Sequence, residues 1–200
     1  GEHKGMLYTI TGPSGSGKTT LVREIIKKYP EQFEKIVTVT DRRKRKNEID
    51  GVDYIFKNKT DMTPEYMDRN LLAVTEFDGH HYGIPTVPTR LIEKKDGLVI
   101  VDKAGAYYLR RRFSWVRNIY IQISEERAKA HLSWRHARYN LRQKADKEAG
   151  LYLSLEDKYD CILVNNGSLG SLMDNFYNYT VAQKELENQK YGKKKAYEAK

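Results

Sequence analysis

Eight consecutive residues, Gly12-Pro13-Ser14-Gly15-Ser16-Gly17-Lys18-Thr19, hold the most specific chemical signal in this 200-residue chain. They satisfy G-x-x-x-x-G-K-[ST], the phosphate-binding P-loop pattern, at every fixed position. Glycines at this spacing let successive main-chain N–H groups curl around phosphate oxygens, and a following helix adds partial positive charge at its N-terminus. Lys18 is expected to reach the β- and γ-phosphates of a nucleoside triphosphate, and the Thr19 hydroxyl to ligate Mg²⁺. The predicted triphosphate-binding set is Gly12, Pro13, Ser14, Gly15, Ser16, Gly17, Lys18, Thr19 and Thr20. A plain flexible Gly/Ser loop would not need the flanks seen here. The β-prone Leu7-Tyr8-Thr9-Ile10-Thr11 precedes the loop, and Thr20 to Tyr29 follows with apolar residues at helical spacing and Pro30 as a stop.

A second group able to act on phosphate is Asp102, at the end of the buried-strand pattern Gly97-Leu98-Val99-Ile100-Val101. A carboxylate at such a strand tip beside a P-loop orients Mg²⁺ or its water. Basic residues cluster at Arg42 to Lys46, Arg110 to Arg112 and Arg135 to Arg142, as a site for two phosphorylated nucleotides requires. Lys190 to Lys195 reads as a solvated end. His80, His81, His131 and His136 have no Cys or carboxylate at ligand spacing, so no metal centre is expected of them.

The elements that must position these groups alternate between strand and helix. Lys35 to Thr40 reads as a second strand, Val52 to Phe56 as a half-buried one, and Thr63-Pro64 as a helix start. Val74 to Phe77 and His80 to Gly83, joined by Asp78-Gly79, form a hairpin signal. Lys103 to Arg112 predicts a helix, Asn118 to Ile123 a core strand, and Ser124-Glu125-Glu126 the cap of a long helical stretch reaching Gly150. Asp160 to Val164 is the last strand and Ser168 opens a final helix bearing Leu169, Leu172, Met173, Phe176 and Tyr177. The expected architecture is α/β, three layers α/β/α around a central parallel sheet, interrupted by an antiparallel insertion.

Net charge is +9, yet no helix-turn-helix, RNP or zinc-ligand pattern accompanies it, so nucleic acid is not an expected partner. The longest apolar runs are strand-sized, too short for a membrane span. No signal-peptide pattern opens the chain, and Cys161 is the single cysteine, which precludes an internal disulfide. A cytoplasmic setting is the expectation, and either a monomer or a homodimer is compatible with the sequence.

Taken in order from Leu7 to about Ala182, these pieces resemble guanylate kinase, a P-loop enzyme that moves a phosphoryl group from ATP to GMP. Beyond the P-loop, the most specific likeness is Thr38-x-x-x-Arg42-x-x-Arg45-x-x-Glu48-x-Asp50-Gly51-x-Asp53-Tyr54, against the family's S-x-x-T-R-x-x-R-x-G-E-x-x-G-x-D-Y. Gly79-His80-His81-Tyr82-Gly83 resembles G-N-Y-Y-G, Val101-Asp102-Lys103-Ala104-Gly105 resembles I-D-x-Q-G, and Val164-Asn165 resembles the V-N of V-N-D. The resemblance implies ATP and Mg²⁺ as cofactors and a nucleoside monophosphate as acceptor. It implies that Arg42, Arg45, Tyr54 and Tyr82 grip the acceptor phosphate and that Thr38 lies near the base. Asp102 would stand between acceptor and Mg²⁺, and Asn165 would touch the adenine. It also implies a core of about residues 6–37, 91–130 and 151–190, an acceptor-binding insertion of about 38–90, and a helical lid of about 131–150. Arg135, Arg138 and Arg142 would close that lid over the ATP phosphates.

Two departures fall on the base pocket. The family glutamate that pairs with the guanine edge falls on Ala73, and the Ser/Thr beside the base falls on Ile84. The expected acceptor is GMP or dGMP, with another or modified (d)NMP as the alternative. A non-catalytic guanylate-kinase-like interaction module is a remoter one, set against by the complete phosphate loop.

Overall fold

A computed structural model of the chain describes residues 5–90, 92, 94–123 and 159–198. Five strands form one wholly parallel sheet: β1 (Leu7–Thr11), β2 (Phe33–Lys35), β7 (Asp96–Ile100), β8 (Val116–Gln122) and β9 (Cys161–Val164), in the order β2-β7-β1-β8-β9. β1 is central, with Leu7 opposite Gly97 on one side and Val116 on the other. Strand side chains alternate between faces, so each sheet face gathers its own apolar set. On one face α1 (Lys18–Lys28) and α5 (Leu169–Glu198) cover Tyr8, Ile10, Leu98, Ile119 and Ile121 with Leu21, Ile25, Leu172 and Phe176. On the other, Leu109 of α4 (Lys103–Arg112) packs on Leu7, Val99 and Val116. Helices on both faces of a parallel sheet give the three-layer α/β/α architecture expected of the pattern.

The second sheet runs in the order β4-β3-β6-β5, from β4 (Ile55–Phe56), β3 (Val39–Thr40), β6 (His80–Pro85) and β5 (Leu71–Phe77). It differs from the antiparallel expectation at one edge, because β3 and β4 run parallel while β3–β6 and β5–β6 are antiparallel. Two predicted strands are also redrawn. The expected Lys35 to Thr40 strand divides between the two sheets, because Ile36 turns inward and is buried with Leu7 and Val99. The expected Val52 to Phe56 strand shortens to Ile55–Phe56. Its first half is a turn in which Gly51 has φ 83°, Asp53 accepts from the Ile49 N–H at 2.6 Å, and Asp50 accepts from the Phe56 N–H at 2.9 Å. Short acidic side chains of this kind compete with a sheet for main-chain groups.

Asp78 and Gly79, with φ 51° and 75°, make the two-residue turn of the β5–β6 hairpin, the geometry that Asp-Gly favours. α2 (Pro64–Asn70) starts as predicted, with Thr63 Oγ1 accepting from the Tyr66 N–H at 3.1 Å and Pro64 in the first turn. α3 (Thr86–Arg90) leads back toward the parallel sheet.

Leu72 of β5 and Ile84 of β6 anchor the second sheet. They are buried in the cluster that contains Leu7, Val99, Leu109 and Val116 of the core. Burying two such side chains is worth roughly 1.5–3 kcal/mol each. Ile84→Ala is expected to lower unfolding stability by about 2–4 kcal/mol, read as a reduced urea midpoint at unchanged slope. A surface position in its place would change stability by less than about 0.5 kcal/mol.

Candidate functional site

The loop after β1 is built for close approach to main chain. Gly15 and Gly17 take φ 80° and 99°, in the left-handed region that glycine enters without strain. A Cβ on Gly12 would stand 2.8 Å from the Ile121 carbonyl oxygen, and one on Gly17 2.9 Å from Asn165 Nδ2. Gly17 caps α1, whose first turn contains no acidic residue, so the uncompensated N–H groups and helix dipole face outward together. Lys18 folds its ammonium onto the carbonyls of Gly12 and Pro13, the latter at 3.0 Å. Ser16 is fully buried, and its hydroxyl has no hydrogen-bond partner among the described residues. Ser14 and Thr20 are half-buried at the loop's rim, and Thr19 is exposed at the helix start. The glycine cradle, a cation and the exposed Thr19 at a helix N-terminus fit a triphosphate with its Mg²⁺.

Asn165, expected to touch the adenine, reaches back to the P-loop. It is buried, donates from Nδ2 to the Ser16 carbonyl at 2.8 Å, and accepts at Oδ1 from the Gly167 N–H at 2.9 Å. The side chain thereby pins the P-loop to the end of β9. Asp102 also has a second role. It lies beyond the end of β7, next to β1, where the Val101 N–H bonds the Ile10 carbonyl, and it caps α4 by accepting from the Gly105 N–H at 2.7 Å. Ligand-binding positions in parallel sheets lie at this carboxyl edge of the strands. Arg110 to Arg112, expected to collect phosphate, instead occupy the last turn of α4, where Arg110 pairs with Asp160 at 3.0 Å.

The second concentration of charge lies on β3, β4, β6 and the turn after β3. Arg42 is its centre. Its two terminal nitrogens donate to both Glu48 oxygens at 2.9 and 2.8 Å, and its guanidinium lies 5.2 Å over the Tyr54 ring and 5.8 Å from that of Phe56. Tyr54 and Tyr82 meet edge to face at 5.9 Å. Arg42 and Glu48 expose only 12% and 18% of their side chains, so this is a largely desolvated, charge-assisted pair. The Arg42 hydrogen bond holds the Glu48 carboxyl below the usual carboxylate range against its partial burial, and the same pair drives the Arg42 guanidinium upward. Burial raises the Tyr54 phenol above its ordinary value.

Arg45 is exposed, with its N–H donating to Glu48 at 2.8 Å. Thr38 is buried and its carbonyl accepts from the Ile55 N–H at 2.9 Å. A cavity of about 690 Å³ adjoins the cluster, lined by Arg42, Arg45, Lys57 and Lys59 among others.

Of the two positions expected beside the base, Ala73 sits in a β-bulge. Ala73 and Val74 oppose Gly83 alone, and Ala73 has φ 51°, a conformation costing a non-glycine residue roughly 1 kcal/mol. The bulge turns Ala73 toward the start of α4, where a Cβ on Gly105 would meet its own at 3.8 Å. Ile84 departs from the expectation of a base neighbour, since it is 1% exposed in the core and offers no surface to a ligand. Glu76, on the exposed stretch of β5, stands 4.0 Å from His81. Arg135, Arg138 and Arg142 lie outside the described residues.

Sequence reasoning quoted Glu48 only as a motif position without its pairing to Arg42, and passed over Asp41 and Thr40. Asp41 is buried and receives the His81 ring Nδ1 at 2.9 Å. Carboxylates flanking a run of cations were the signal. Burial alone would raise the Asp41 carboxyl, but hydrogen bonds and charge from His81, with Lys59 nearby, bring it below its ordinary value. Carboxyls depressed in the folded state stabilise it fully above their unfolded pKa and lose that contribution as pH falls through the folded one. Acidification below about pH 4 is therefore expected to destabilise the protein. Glu48→Gln should flatten that acid limb in a pH series of thermal melts, and an unchanged limb would contradict the pairing.

Residues 4–175 match the guanylate kinase family model. A guanylate kinase of Bacillus cereus is 35% identical over 112 residues, 55% of this chain and 55% of that protein, so the chain spans about half the length of that relative. One from Chlamydia muridarum is 30% identical over 164 residues, 80% of each. Among solved structures, guanylate kinase from Anaplasma phagocytophilum superposes with a TM-score of 0.65 at 22% identity, covering 91% of this chain and 87% of that one. A gluconokinase from Sinorhizobium meliloti 1021 shares the fold alone, at TM-score 0.52 and 14% identity over 94% and 99% of the two chains. With the family match spanning both sheets, the glycine loop and the Arg42 cluster, this chain belongs to the guanylate kinase family.

Proposed function

We propose that the protein is an ATP-dependent nucleoside monophosphate kinase that transfers the γ-phosphoryl group of ATP to a (d)NMP, with GMP or dGMP the leading acceptor. The observation that carries this reading is the coexistence of two unlike anion sites. One is the glycine cradle with Lys18, and the other is the Arg42–Tyr54–Tyr82 cluster with Arg45 beside it. The residues divide into a core of about 6–37, 91–130 and 151–190, an acceptor-binding insertion of about 38–90, and a lid of about 131–150.

The P-loop amides and Lys18 would hold the triphosphate, and Thr19 would ligate Mg²⁺, which when bound neutralises charge on the transferred group. For Lys18 this means leaving the Gly12 and Pro13 carbonyls that it touches here. Arg42, Arg45, Tyr54 and Tyr82 would bind the acceptor phosphate, with Glu48 keeping the Arg42 plane oriented. Thr38 and Ala73 would flank the base, and Ile84 would act from beneath as an anchor. Asp102 would orient the metal-side oxygens with whatever hydrogen-bonding capacity its capping role leaves. Arg135, Arg138 and Arg142 would neutralise developing charge when the lid closes and water is expelled. No general base is required, because the attacking phosphate oxygen is already anionic.

Alanine at 73, where the family places a glutamate, favours a second reading of the acceptor, in which another or modified (d)NMP replaces GMP. A buried donor on guanine left without its carboxylate partner costs about 1–3 kcal/mol, so the loss at 73 bears directly on the base.

ADP release with Mg·ATP and a panel of NMPs and dNMPs tests the reaction. Activity with at least one member is expected, and a folded protein inactive on all of them would overturn it. Lys18→Ala should abolish transfer, whereas Arg42→Ala should chiefly raise the acceptor KM. Ala73→Glu should shift kcat/KM toward guanine nucleotides by roughly tenfold or more, and an unaltered base profile would remove position 73 from the pocket.

A further inference from the structure

The β3–β6 ladder ends in an unusual rung. Thr40 pairs with Tyr82, so the next position places Asp41 opposite His81. The main-chain bond there is long, from the Asp41 N–H to the His81 carbonyl at 3.4 Å. Side chains complete it. The His81 N–H donates to Asp41 Oδ1 at 2.8 Å, and ring Nδ1 meets Oδ2 at 2.9 Å, so one carboxylate engages both the main chain and the ring of His81. Thr40 Oγ1 donates to the same His81 carbonyl at 2.8 Å and accepts from the Arg42 N–H at 3.2 Å.

The chain neighbours of the pair give it consequence. Asp41 precedes Arg42 and His81 precedes Tyr82, the guanidinium and phenol assigned above to the acceptor phosphate. Electrostatics alone argues against a carboxylate here. The adjoining cavity is lined by Arg42, Arg43, Lys44, Arg45, Lys57 and Lys59, and a negative charge among them weakens attraction for an anion. Asp41 is also only 4% exposed, so its desolvation must be offset by bonds it actually makes. His80 Nδ1 approaches it at 3.8 Å, Lys59 contributes positive charge, and Glu76 faces the far side of His81 at 4.0 Å.

We propose that Asp41 and His81 are positioning residues of the acceptor site, a side-chain clamp across the end of the β3–β6 ladder that holds Arg42 and Tyr82 at one fixed separation. The proposal rests on the acceptor-phosphate reading of those two residues. A counter-charge role and a clamp role predict opposite signs. Were Asp41 merely a counter-charge, Asp41→Asn would tighten acceptor binding. As a clamp, its neutral amide keeps at best an uncharged contact to the ring beside the main-chain bond, so the charge-assisted bond is lost and the separation relaxes.

The test uses the full chain with Asp41→Asn, His81→Asn and His81→Phe. Asp41→Asn and His81→Phe should each raise the acceptor KM roughly tenfold or more, the size expected for a lost charge-assisted bond. The ATP KM should stay constant and kcat should change by less than about threefold. His81→Asn, which keeps a side-chain donor, should recover most of the acceptor affinity. An acceptor KM that is unchanged or lower in folded Asp41→Asn would overturn the clamp, as would equal values for His81→Asn and His81→Phe. Amide exchange at His81 separates this from failure of the kinase reading. If no acceptor is turned over, faster exchange in Asp41→Asn still supports the clamp, and unchanged exchange overturns it.

Discussion

Positive charge packed at close quarters needs built-in compensation, and most of the second sheet's polar architecture answers that constraint. Six of the ten residues lining the cavity beside Arg42 are Arg or Lys. Glu48 meets the Arg42 fork edge on, and Tyr54 and Phe56 support its face. A guanidinium gripped along one edge and stacked on rings loses little further side-chain entropy when an anion arrives. The glycine loop relies on less full charge. Its amides carry only partial charge, and its one full cation rests on loop carbonyls.

Much of the fold could be read from residue order alone. The strand-loop-helix unit at 7–29 and the Asp78-Gly79 hairpin are local patterns, set by glycine conformations and apolar spacing within a few residues. The features that were misread depend on a distant partner in one case and on local side-chain competition in the other. Ile36 draws the predicted second strand out of line because it fits beside Leu7 and Val99, which no window around residue 36 contains. The turn at 49–54 replaces strand because Asp50 and Asp53 take main-chain donors that a ladder would have used.

The candidate site divides in the same way. P-loop residues announce themselves because a handful of neighbours suffices to make the cradle. The roles of Glu48, Asp41 and Asn165 were hidden because each acts on a backbone or side chain elsewhere. Asn165 reaches the Ser16 carbonyl from the opposite end of the sequence, and Asp41 meets His81 across a strand pair. Position 84 was misplaced for a related reason. A motif reports spacing along the chain, whereas burial decides which face of β6 an aliphatic side chain occupies, and Ile84 joins Leu72 in the core.

That burial has a mechanical corollary. The chain enters the second sheet just past Ile36 and leaves it just past Ile84, and both side chains are seated in one apolar cluster beneath β7. Close-packed interiors resist deformation far more than the short connections leading out of them. Any swing of the Arg42-bearing sheet toward the glycine loop would therefore turn about a hub of Ile36, Leu72 and Ile84. Torsion angles near residues 37–38 and 85–86 would absorb the rotation, while the hydrocarbon contacts at the hub stay intact.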